Sequence, residues 1–347
     1  MEEEKEIVSD VEMALSMEHT KQGLGVIGKH PVLLNHTFLE LKVIDAGVGD
    51  ISLLEQYPNI MYLDLSKNSI ESASVLQKLP TLVQLNLSNN KLKECLDFSL
   101  NLCSKENAWS DGDSSIGSML TNANLSFNSI SKLNSLSNHP FLEVLVLNNN
   151  CIDSISGISE LKFLRVLDLS FNSITSISGL DGAQVIELNL QGNQIADLSG
   201  IETCSKLSSL NISKNNVKTL MPLQNCLQLL CLDARDNGIQ YIRQCDFISK
   251  LEWLSTVLLM GNPCSKKEFY RRRVIYRLPD LRKLDESDVT AEERIECGNL
   301  FHSDYNDIEG RKTIFNNHFT KSNMMFIETA PFADDECDVT IEELQTV

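Results

Sequence analysis

Three glycines near the amino terminus have the spacing most suggestive of chemistry in this chain. Gly23, Gly25 and Gly28 form G-x-G-x-x-G, the pattern at which dinucleotide-binding enzymes bring their backbone close to a pyrophosphate, and Asp45 follows as a possible ribose-binding carboxylate. That chemistry needs a strand before the glycines and a helix after them. Residues 7–28 instead have an amphipathic helical pattern, so we expect a helical cap ended by glycines. A nucleotide-dependent enzyme is the alternative from another functional class.

Other side chains capable of catalysis or metal binding are scattered. The six histidines have no ligand spacing, the ten cysteines include no C-x-x-C pair, and there is no Walker-type phosphate loop. We therefore expect no enzyme activity, no metal, no cofactor and no small-molecule substrate. The cysteines are expected to be reduced thiols, and the spacing of Cys204 and Cys226 predicts that they stack in a core.

Composition narrows the class of partner. The 347 residues carry a formal net charge of −18, whereas proteins that bind nucleic acids or membrane surfaces are usually basic. No stretch approaches the ~20 apolar residues of a membrane span, and the acidic residues 1–6 are unlike a signal peptide. The sequence therefore predicts a cytoplasmic protein whose partners are other proteins, with no nucleic acid and no membrane among them.

The elements that must position any functional side chain come from an internal repeat, L-x-L-x-x-N-x-I. Its first apolar position recurs ten times, at Leu41, Leu63, Leu85, Ala123, Leu145, Leu167, Leu188, Leu210, Leu232 and Val257. An asparagine stands five residues later in all copies but the first, which has Ala46: Asn68, Asn90, Asn128, Asn150, Asn172, Asn193, Asn215, Asn237 and Asn262.

Each repeat position has a physical interpretation. The alternation L-x-L predicts a short strand that directs both leucines to one side. The asparagine follows where the chain leaves the strand, and its amide can donate and accept hydrogen bonds to backbone groups that would otherwise be buried unpaired. One repeat cannot bury its own apolar face, so the copies must stack into a quasi-one-dimensional array.

The periodicity also predicts the domain organisation. We expect an acidic segment and helical cap over residues 1–33, and ten repeats over 34–263 with an insertion at about 104–119. A cap over 264–297 follows, and then an acidic, flexible tail over 298–347.

The repeat resembles the leucine-rich repeat, and its 22-residue length is similar to that of the intracellular class typified by the protein phosphatase 1 regulatory subunit. The resemblance implies an α/β leucine-rich-repeat solenoid, a right-handed curved array with ten short parallel strands on its concave face and helical caps at both ends. It further implies a non-catalytic scaffold for protein–protein interaction.

Both ends of the array resemble the axonemal radial-spoke leucine-rich-repeat proteins of cilia. The similar stretches are residues 34–36 and 62–66 at the start, and Asn262-Pro263-Cys264 with Leu284-Asp285 near the end. This resemblance implies a structural adaptor in a ciliary or flagellar axoneme. A regulatory subunit of a protein phosphatase 1 type enzyme is the rival hypothesis within the same broad class.

Candidate partner-binding residues lie on the predicted concave face, where the residues flanking each leucine point away from the core. Apolar or aromatic side chains there are candidate anchors, with two acidic neighbours. The set is Tyr62, Asp64, Phe127, Val144, Val146, Val166, Asp168, Phe171 and Met260. For Phe127 and Phe171 the sequence leaves open whether they are exposed or form a buried phenylalanine spine.

A basic cluster occupies the predicted carboxy-terminal cap. It comprises Lys266, Lys267, Arg271, Arg272, Arg273 and Arg277. The cluster predicts either a solvated cap face or a docking patch for an acidic partner. In the tail, phenylalanines 315, 319, 326 and 332 could be linear-motif anchors or could lie along the flank of the array.

Overall fold

The computed structural model describes residues 13–29, 36–96, 98, 119–133 and 136–301. The predicted insertion, except Met119, and the tail beyond residue 301 lie outside the described residues. Two compact units divide the chain. The first comprises Met1–Ser173 with Gly182–Gln184, and the second comprises Ile174–Asp181 with Val185–Val347.

The first unit begins with a mixed segment rather than with one long helix. Strand β1 (Met13–Ala14) precedes helix α1 (Met17–Gly23), strand β2 (Leu24–Lys29) and strand β3 (His36–Lys42). The helical cap predicted over residues 7–28 is therefore wrong for the part that forms β2. The physical reason is that β2 finds an antiparallel partner in β3, so its backbone hydrogen bonds run between strands instead of along a helix.

Six further strands complete the first unit: β4 (Val48–Asp50), β5 (Tyr62–Asp64), β6 (Gln84–Asn86), β7 (Asn122–Asn124), β8 (Val144–Val146) and β9 (Val166–Asp168). Strand β4 pairs with β1. Strands β3 and β5–β9 are parallel and adjacent in that order, and the first repeat residues lie directly opposite one another, as Leu63 does to Leu85.

The predicted insertion does not interrupt this sheet. Strands β6 and β7 pair directly, with Leu85 opposite Ala123, although 38 residues separate the two positions. The turns beyond the strands are also joined, because the backbone N–H of Leu92 donates to Oδ1 of Asn128 over 3.0 Å. The extra residues therefore leave the stacking of the repeats unchanged.

The described part of the second unit, up to residue 301, contains the remaining strands and two helices. Its elements in chain order are β10 (Glu187–Asn189), β11 (Ser209–Asn211), β12 (Cys231–Asp233), β13 (Thr256–Leu258), α2 (Tyr270–Arg277), β14 (Lys283–Leu284), β15 (Ser287–Asp288) and α3 (Ala291–Phe301). Strands β10 to β14 are parallel neighbours in register, and β15 pairs with β14 in the antiparallel sense.

Short 3₁₀ helices return the chain from one strand to the next. They span Ser52–Gln56 and Ser74–Lys78 in the first unit, and Ile201–Thr203, Met221–Asn225, Ile242–Ile248 and Pro263–Lys266 in the second. Each unit buries its core between the strands and these returning segments, with Leu145, Leu147 and Leu223 at 0 % exposure. The leucine-rich-repeat fold predicted from the sequence is confirmed, and all ten predicted strands are present.

The repeated asparagines form what we call the asparagine ladder, the nine residues Asn68, Asn90, Asn128, Asn150, Asn172, Asn193, Asn215, Asn237 and Asn262. All are buried except the half-buried Asn128. Asn150 is representative: its Nδ2 donates to the carbonyls of Leu125 and Leu147 over 3.0 and 2.9 Å, and its Oδ1 accepts from the N–H of Ile130. One side chain thus satisfies backbone groups of two consecutive turns.

Candidate interaction surface

The strands present one side-chain row to the core and two rows to the opposite face, which we call the strand face. In β5–β9 the middle residue of each strand is buried, while the residues before and after it are half-buried or exposed. This follows from the period-2 alternation of a strand. The strand face of the first unit therefore carries the side chains available to a partner.

An apolar group of three side chains, the valine patch, lies on this face. Val144 stands directly opposite Val166 in the pairing of β8 with β9, and Val146 is on the same strand as Val144. All three side chains are half-buried. On the side of β7 the patch borders Asn122 and Asn124, so it is an apolar area within a polar surface.

The residue that follows the middle of each strand has a structural role that the sequence did not reveal. The side-chain Oδ1 of Asp64, Asn124 and Asp168 accepts a hydrogen bond from the N–H two residues on, over 3.0, 3.1 and 2.9 Å. These Asx turns stabilise the exit from the strand. Asp64 and Asp168, which the sequence predicts as partner-binding residues, thus already use one carboxylate oxygen within their own repeat.

Among the repeats of the first unit that follow the first one, Val146 does not fit this pattern. It occupies the position of an Asx residue, and a valine side chain has no acceptor atom to close the turn. The repeat that contains the valine patch therefore forgoes one turn hydrogen bond for an apolar side chain on the strand face.

Phe127 and Phe171 lie at the carboxyl ends of β7 and β9, with 50 % and 43 % of each side chain exposed. Both have left-handed backbone, with φ of 54°. They belong to the left-handed row, which we define as the residue immediately before the ladder position in each repeat: Asp45, Lys67, Asn89, Phe127, Asn149, Phe171, Gly192, Lys214, Asp236 and Gly261. The interpretation as a buried phenylalanine spine is therefore wrong, because this conformation directs the side chains outward.

Two other predicted partner-binding residues, Tyr62 and Met260, are not part of the valine patch. Tyr62 is half-buried on β5, three strands from β8, and lines the same shallow trough of about 330 Å³ as Val144 and Val146. Met260 belongs to the second unit. There its N–H donates to Oδ1 of Asp285, so it forms part of the turn that closes the last repeat.

The predicted basic patch is only partly an open basic surface: Lys266 is exposed and Lys267 and Arg272 are half-buried, whereas the other three side chains are engaged within the protein. Arg273 is buried at 3 % exposure, and the Arg271 guanidinium donates to both carboxylate oxygens of Glu293 over 2.6 and 2.9 Å. Arg277, whose side chain is 8 % exposed, lies 3.2 Å from Asp246. The arginines instead connect α2 to neighbouring elements of the second unit.

Arg271 is the centre of these connections. It also donates to the backbone carbonyls of Leu284 and Asp288, at β14 and β15. Its hydrogen bonds to Glu293 lower the pKa of that carboxyl group below the ordinary 4.5. The charge of Arg271 is thus neutralised by an acid on α3, while docking of an acidic partner at the more exposed residues of the cluster stays a prediction.

The glycine pattern does not form a phosphate-binding turn. Gly23 ends α1, and Gly25 and Gly28 lie within β2. A Cβ atom at Gly23 would strike the carbonyl oxygen of Lys42, and one at Gly25 would lie 2.7 Å from Oε2 of Glu40. The glycines therefore permit close pairing with β3, and the order of helix, glycines and strand is the reverse of the nucleotide-binding arrangement.

The eight described cysteines are reduced thiols, none of which forms a disulfide. Cys204 and Cys226 are buried in adjacent repeats, as predicted, and burial raises the pKa of the Cys226 thiol to about 12. Within the described ranges no cluster of histidine, cysteine and acidic side chains could hold a metal ion. Over the same ranges, no helix combines the length and apolar character that crossing a bilayer requires.

Two exposed apolar side chains of the second unit were not predicted from the sequence. Trp253 is 66 % exposed and Leu230 is 45 % exposed, both in the second unit before the middle residues of β13 and β12. Neither position belongs to the repeat motif. The available signal was a tryptophan four residues before the repeat residue Val257, where neighbouring repeats have Lys206 and Gln228.

Comparison with known proteins agrees with this architecture. Residues 164–313 match a family model described as Leucine-rich repeat, and residues 140–182 match one described as Leucine Rich repeats (2 copies). Leucine-rich repeat-containing protein 23 of Homo sapiens is 27 % identical over 289 residues, which cover 82 % of this chain and 78 % of that protein. The Bos taurus protein of the same name is 26 % identical, with 82 % and 79 % covered.

A solved leucine-rich repeat protein of Leptospira interrogans superposes with a TM-score of 0.55 at 21 % identity. The superposition covers 68 % of this chain and 57 % of that chain, so it supports the fold alone. Taken together, the repeat motif, the stacked strands and these matches show a leucine-rich-repeat fold and a sequence similarity to leucine-rich repeat-containing protein 23.

Proposed function

We propose that this leucine-rich repeat protein is a non-catalytic scaffold of the ciliary or flagellar axoneme, similar to the radial-spoke class, and that its first unit binds a protein partner. The observation that carries the proposal is the valine patch on the strand face, with Phe127 and Phe171 exposed at the ends of the flanking strands. An apolar area of this kind in a polar surface is typical of a protein interaction site.

The valine patch departs from what stability alone favours. Asp64, Asn124 and Asp168 each close an Asx turn, and Val146 gives up that hydrogen bond at the equivalent position. A turn hydrogen bond contributes about 0.5–1.5 kcal/mol. An apolar side chain at this place is explained by contact with a partner.

The two phenylalanines support the same interpretation. A left-handed backbone costs a residue other than glycine or asparagine about 1–2 kcal/mol, and Phe127 and Phe171 recover little of it because about half of each side chain is exposed. Strain of this kind is concentrated at functional sites. Burial of both rings against a partner would offset that cost.

Charge contributes little to the proposed contact. Two charged side chains of β3 line the trough. They are Glu40 and Lys42, which form an ion pair with each other over 2.6 Å. Asp64 and Asp168 engage their own turns. We therefore expect a partner surface that is largely apolar, and a binding affinity that depends weakly on salt.

The test is recovery of partners from axonemal extracts of ciliated cells with the tagged full chain, read out by mass spectrometry. Val146→Asp combined with Phe171→Asp should abolish recovery, since each places a charge in the apolar contact. The matched control is Phe163→Ser, at an aromatic residue of the same unit that is 54 % exposed and stacks on Phe141 instead.

Each result of this test has a definite meaning. Recovery of axonemal proteins by the wild-type chain and the control, but not by the double variant, supports the proposal. Recovery of soluble cytosolic proteins alone argues against the axoneme, and co-purification of a type 1 phosphatase would favour the regulatory-subunit hypothesis. Equal recovery by the double variant would remove the valine patch as the binding site.

A further inference from the structure

The second unit has an exposed apolar groove at the amino ends of β12 and β13, distinct from the strand face. Leu230 and Trp253 line two adjoining hollows of about 480 and 360 Å³. The rim of the larger hollow carries Glu252, Asp280 and Arg282, and that of the smaller carries Gln228. With Trp253 66 % exposed, the groove presents the large apolar side of an indole to solvent.

The backbone is already hydrogen-bonded at three residues of the groove, which leaves the side chains as its recognition elements. The N–H of Leu230 donates to the carbonyl of Ser208, the N–H of Ser255 donates to that of Leu230, and the N–H of Arg282 donates to that of Ser255. An additional strand therefore has no place to pair in this row. An occupant would have to bind through its own apolar side chains, against Trp253 and Leu230.

The sequence after α3 supplies a segment with the required chemistry. Residues 311–327 contain Arg311, Lys312 and Lys321 and no acidic residue, although the surrounding tail is strongly acidic. The same segment contains the apolar residues Ile314, Phe315, Phe319, Met324, Met325, Phe326 and Ile327. Its positive charge complements Glu252 and Asp280, which outnumber Arg282 at the groove.

The connection from α3 to this segment is short, and the start of α3 is held beside the groove. Helix α3 is attached next to the groove, because the Arg294 guanidinium donates to the carbonyl of Leu281 over 2.8 Å and Leu281 precedes the groove residue Arg282. Nine residues, 302–310, separate the end of α3 from Arg311. Nine residues span up to ~30 Å when extended.

We propose that the segment Arg311–Ile327 binds in the groove formed by Leu230 and Trp253 of the same chain. Its aromatic side chains cover the indole, and its basic residues face Glu252 and Asp280. The segment then competes with any foreign protein for this groove, so its removal exposes a second interaction surface.

The fluorescence of Trp253 shows whether the groove is covered. The chain has two tryptophans, so the full-length Trp109→Phe variant emits from Trp253 alone. We expect its fluorescence to be protected from acrylamide quenching, and the quenching constant to rise severalfold when Phe315→Asp and Phe319→Asp are added. The matched control Phe332→Asp, outside the segment, should leave the quenching constant unchanged.

A second variant tests the charge complementarity. Glu252→Lys with Asp280→Lys should also raise the quenching constant, and 1 M salt should have the same effect on the unaltered groove because it reduces the Debye length to about 3 Å. Should Trp109→Phe fail to fold, hydrogen exchange of the unaltered full chain at residues 226–231 and 250–256 gives the same comparison.

Three results would overturn the proposal. Trp253 quenched as freely in the parent as in the Phe315 and Phe319 variant would show that the groove is open or receives another protein. Protection that rises with protein concentration would assign the groove to a second copy. Loss of protection with Phe332→Asp alone would place the contact outside the segment.

Discussion

Asn89 and Asn90 are consecutive residues of the same type, yet the structure uses them in opposite ways. Asn90 is buried at 9 % exposure and belongs to the asparagine ladder, whereas Asn89 is exposed and belongs to the left-handed row with φ of 55°. For Asn90 the side chain is essential, because its Oδ1 is the acceptor for the N–H of Ile70. For Asn89 the backbone conformation is what matters, since its N–H donates to the carbonyl of Ser126.

The same contrast extends through both units and explains the composition of the two rows. The ladder has asparagine in every copy after the first, because no other side chain supplies the same donors and acceptor in that space. The left-handed row contains aspartate, lysine, asparagine, phenylalanine and glycine. A row that fixes only the backbone leaves its side chains available for function.

The largest expected effect is the loss of a ladder side chain. Asn90→Ala should lower the free energy of unfolding by about 2–3 kcal/mol, since the N–H of Ile70 becomes buried without an acceptor and three carbonyls each lose a donor. Asn89→Gly, one residue away, should change it by less than about 0.5 kcal/mol. Urea denaturation of both variants makes the measurement. Equal losses would contradict the distinction between the rows.

A phenylalanine in the left-handed row should be replaceable with a gain in stability. Phe171→Asn removes an aromatic residue from a conformation that asparagine tolerates, and should raise the free energy of unfolding by up to about 1 kcal/mol. Lys67→Asn, in the same row and conformation, is the matched control for stability. Phe171→Asn alone should weaken recovery of the partner. A destabilised Phe171→Asn protein would show that the ring is held mainly by its own repeat.

Two opposite substitutions on the strand face should have smaller effects on the free energy of unfolding. Val146→Asn should restore an Asx turn and raise the free energy of unfolding by about 0.5 kcal/mol, and Asn124→Val on the adjacent strand should lower it by a similar amount because the hydrogen bonds to Ser126 are lost. Thermal denaturation of the two variants tests this. If both variants were stabilised, or both destabilised, side-chain packing and not the turn hydrogen bond would determine stability at these positions.

The last comparison is between a charged contact and an uncharged one. Glu293, with its pKa lowered by Arg271, contributes stability that is present above its ordinary pKa and is lost as the pH falls through the lowered value. Glu293→Gln should therefore be less stable at pH 7 by under about 1 kcal/mol, and this difference should shrink as the pH falls below the ordinary pKa of the carboxyl group. The loss caused by Asn90→Ala should be the same at both pH values, since amides do not titrate. Urea titrations at pH 7 and pH 3 provide the comparison, and a ladder effect that also shrank in acid would contradict it.

The repeat could be predicted closely from the sequence because each of its features is local and recurs. The register of Leu63 with Leu85 and the burial of Asn150 both follow from a period that ten copies impose. The outward direction of Phe127 and Phe171 did not follow, since an aromatic residue at this position is compatible with a core until its backbone conformation is known.

The ends of the array were harder to predict because their structure depends on distant partners. Residues 24–28 are apolar and glycine-rich enough for a cap, and only the presence of β3 decides that they form a strand. Likewise Arg271 looks available in the sequence, and its neutralisation depends on Glu293, 22 residues away on another helix. Charge clusters are therefore weak evidence of a docking site in the absence of their tertiary partners.

The direct pairing of β6 with β7 across 38 residues makes this junction suited to engineering. The entropy cost of closing a connection grows slowly with its length, by about 0.6 kcal/mol for each doubling. A fluorescent protein or an affinity tag spliced between residues 104 and 118 would therefore leave Leu85 opposite Ala123. Such a fusion would label the molecule from within while both of its ends stay native.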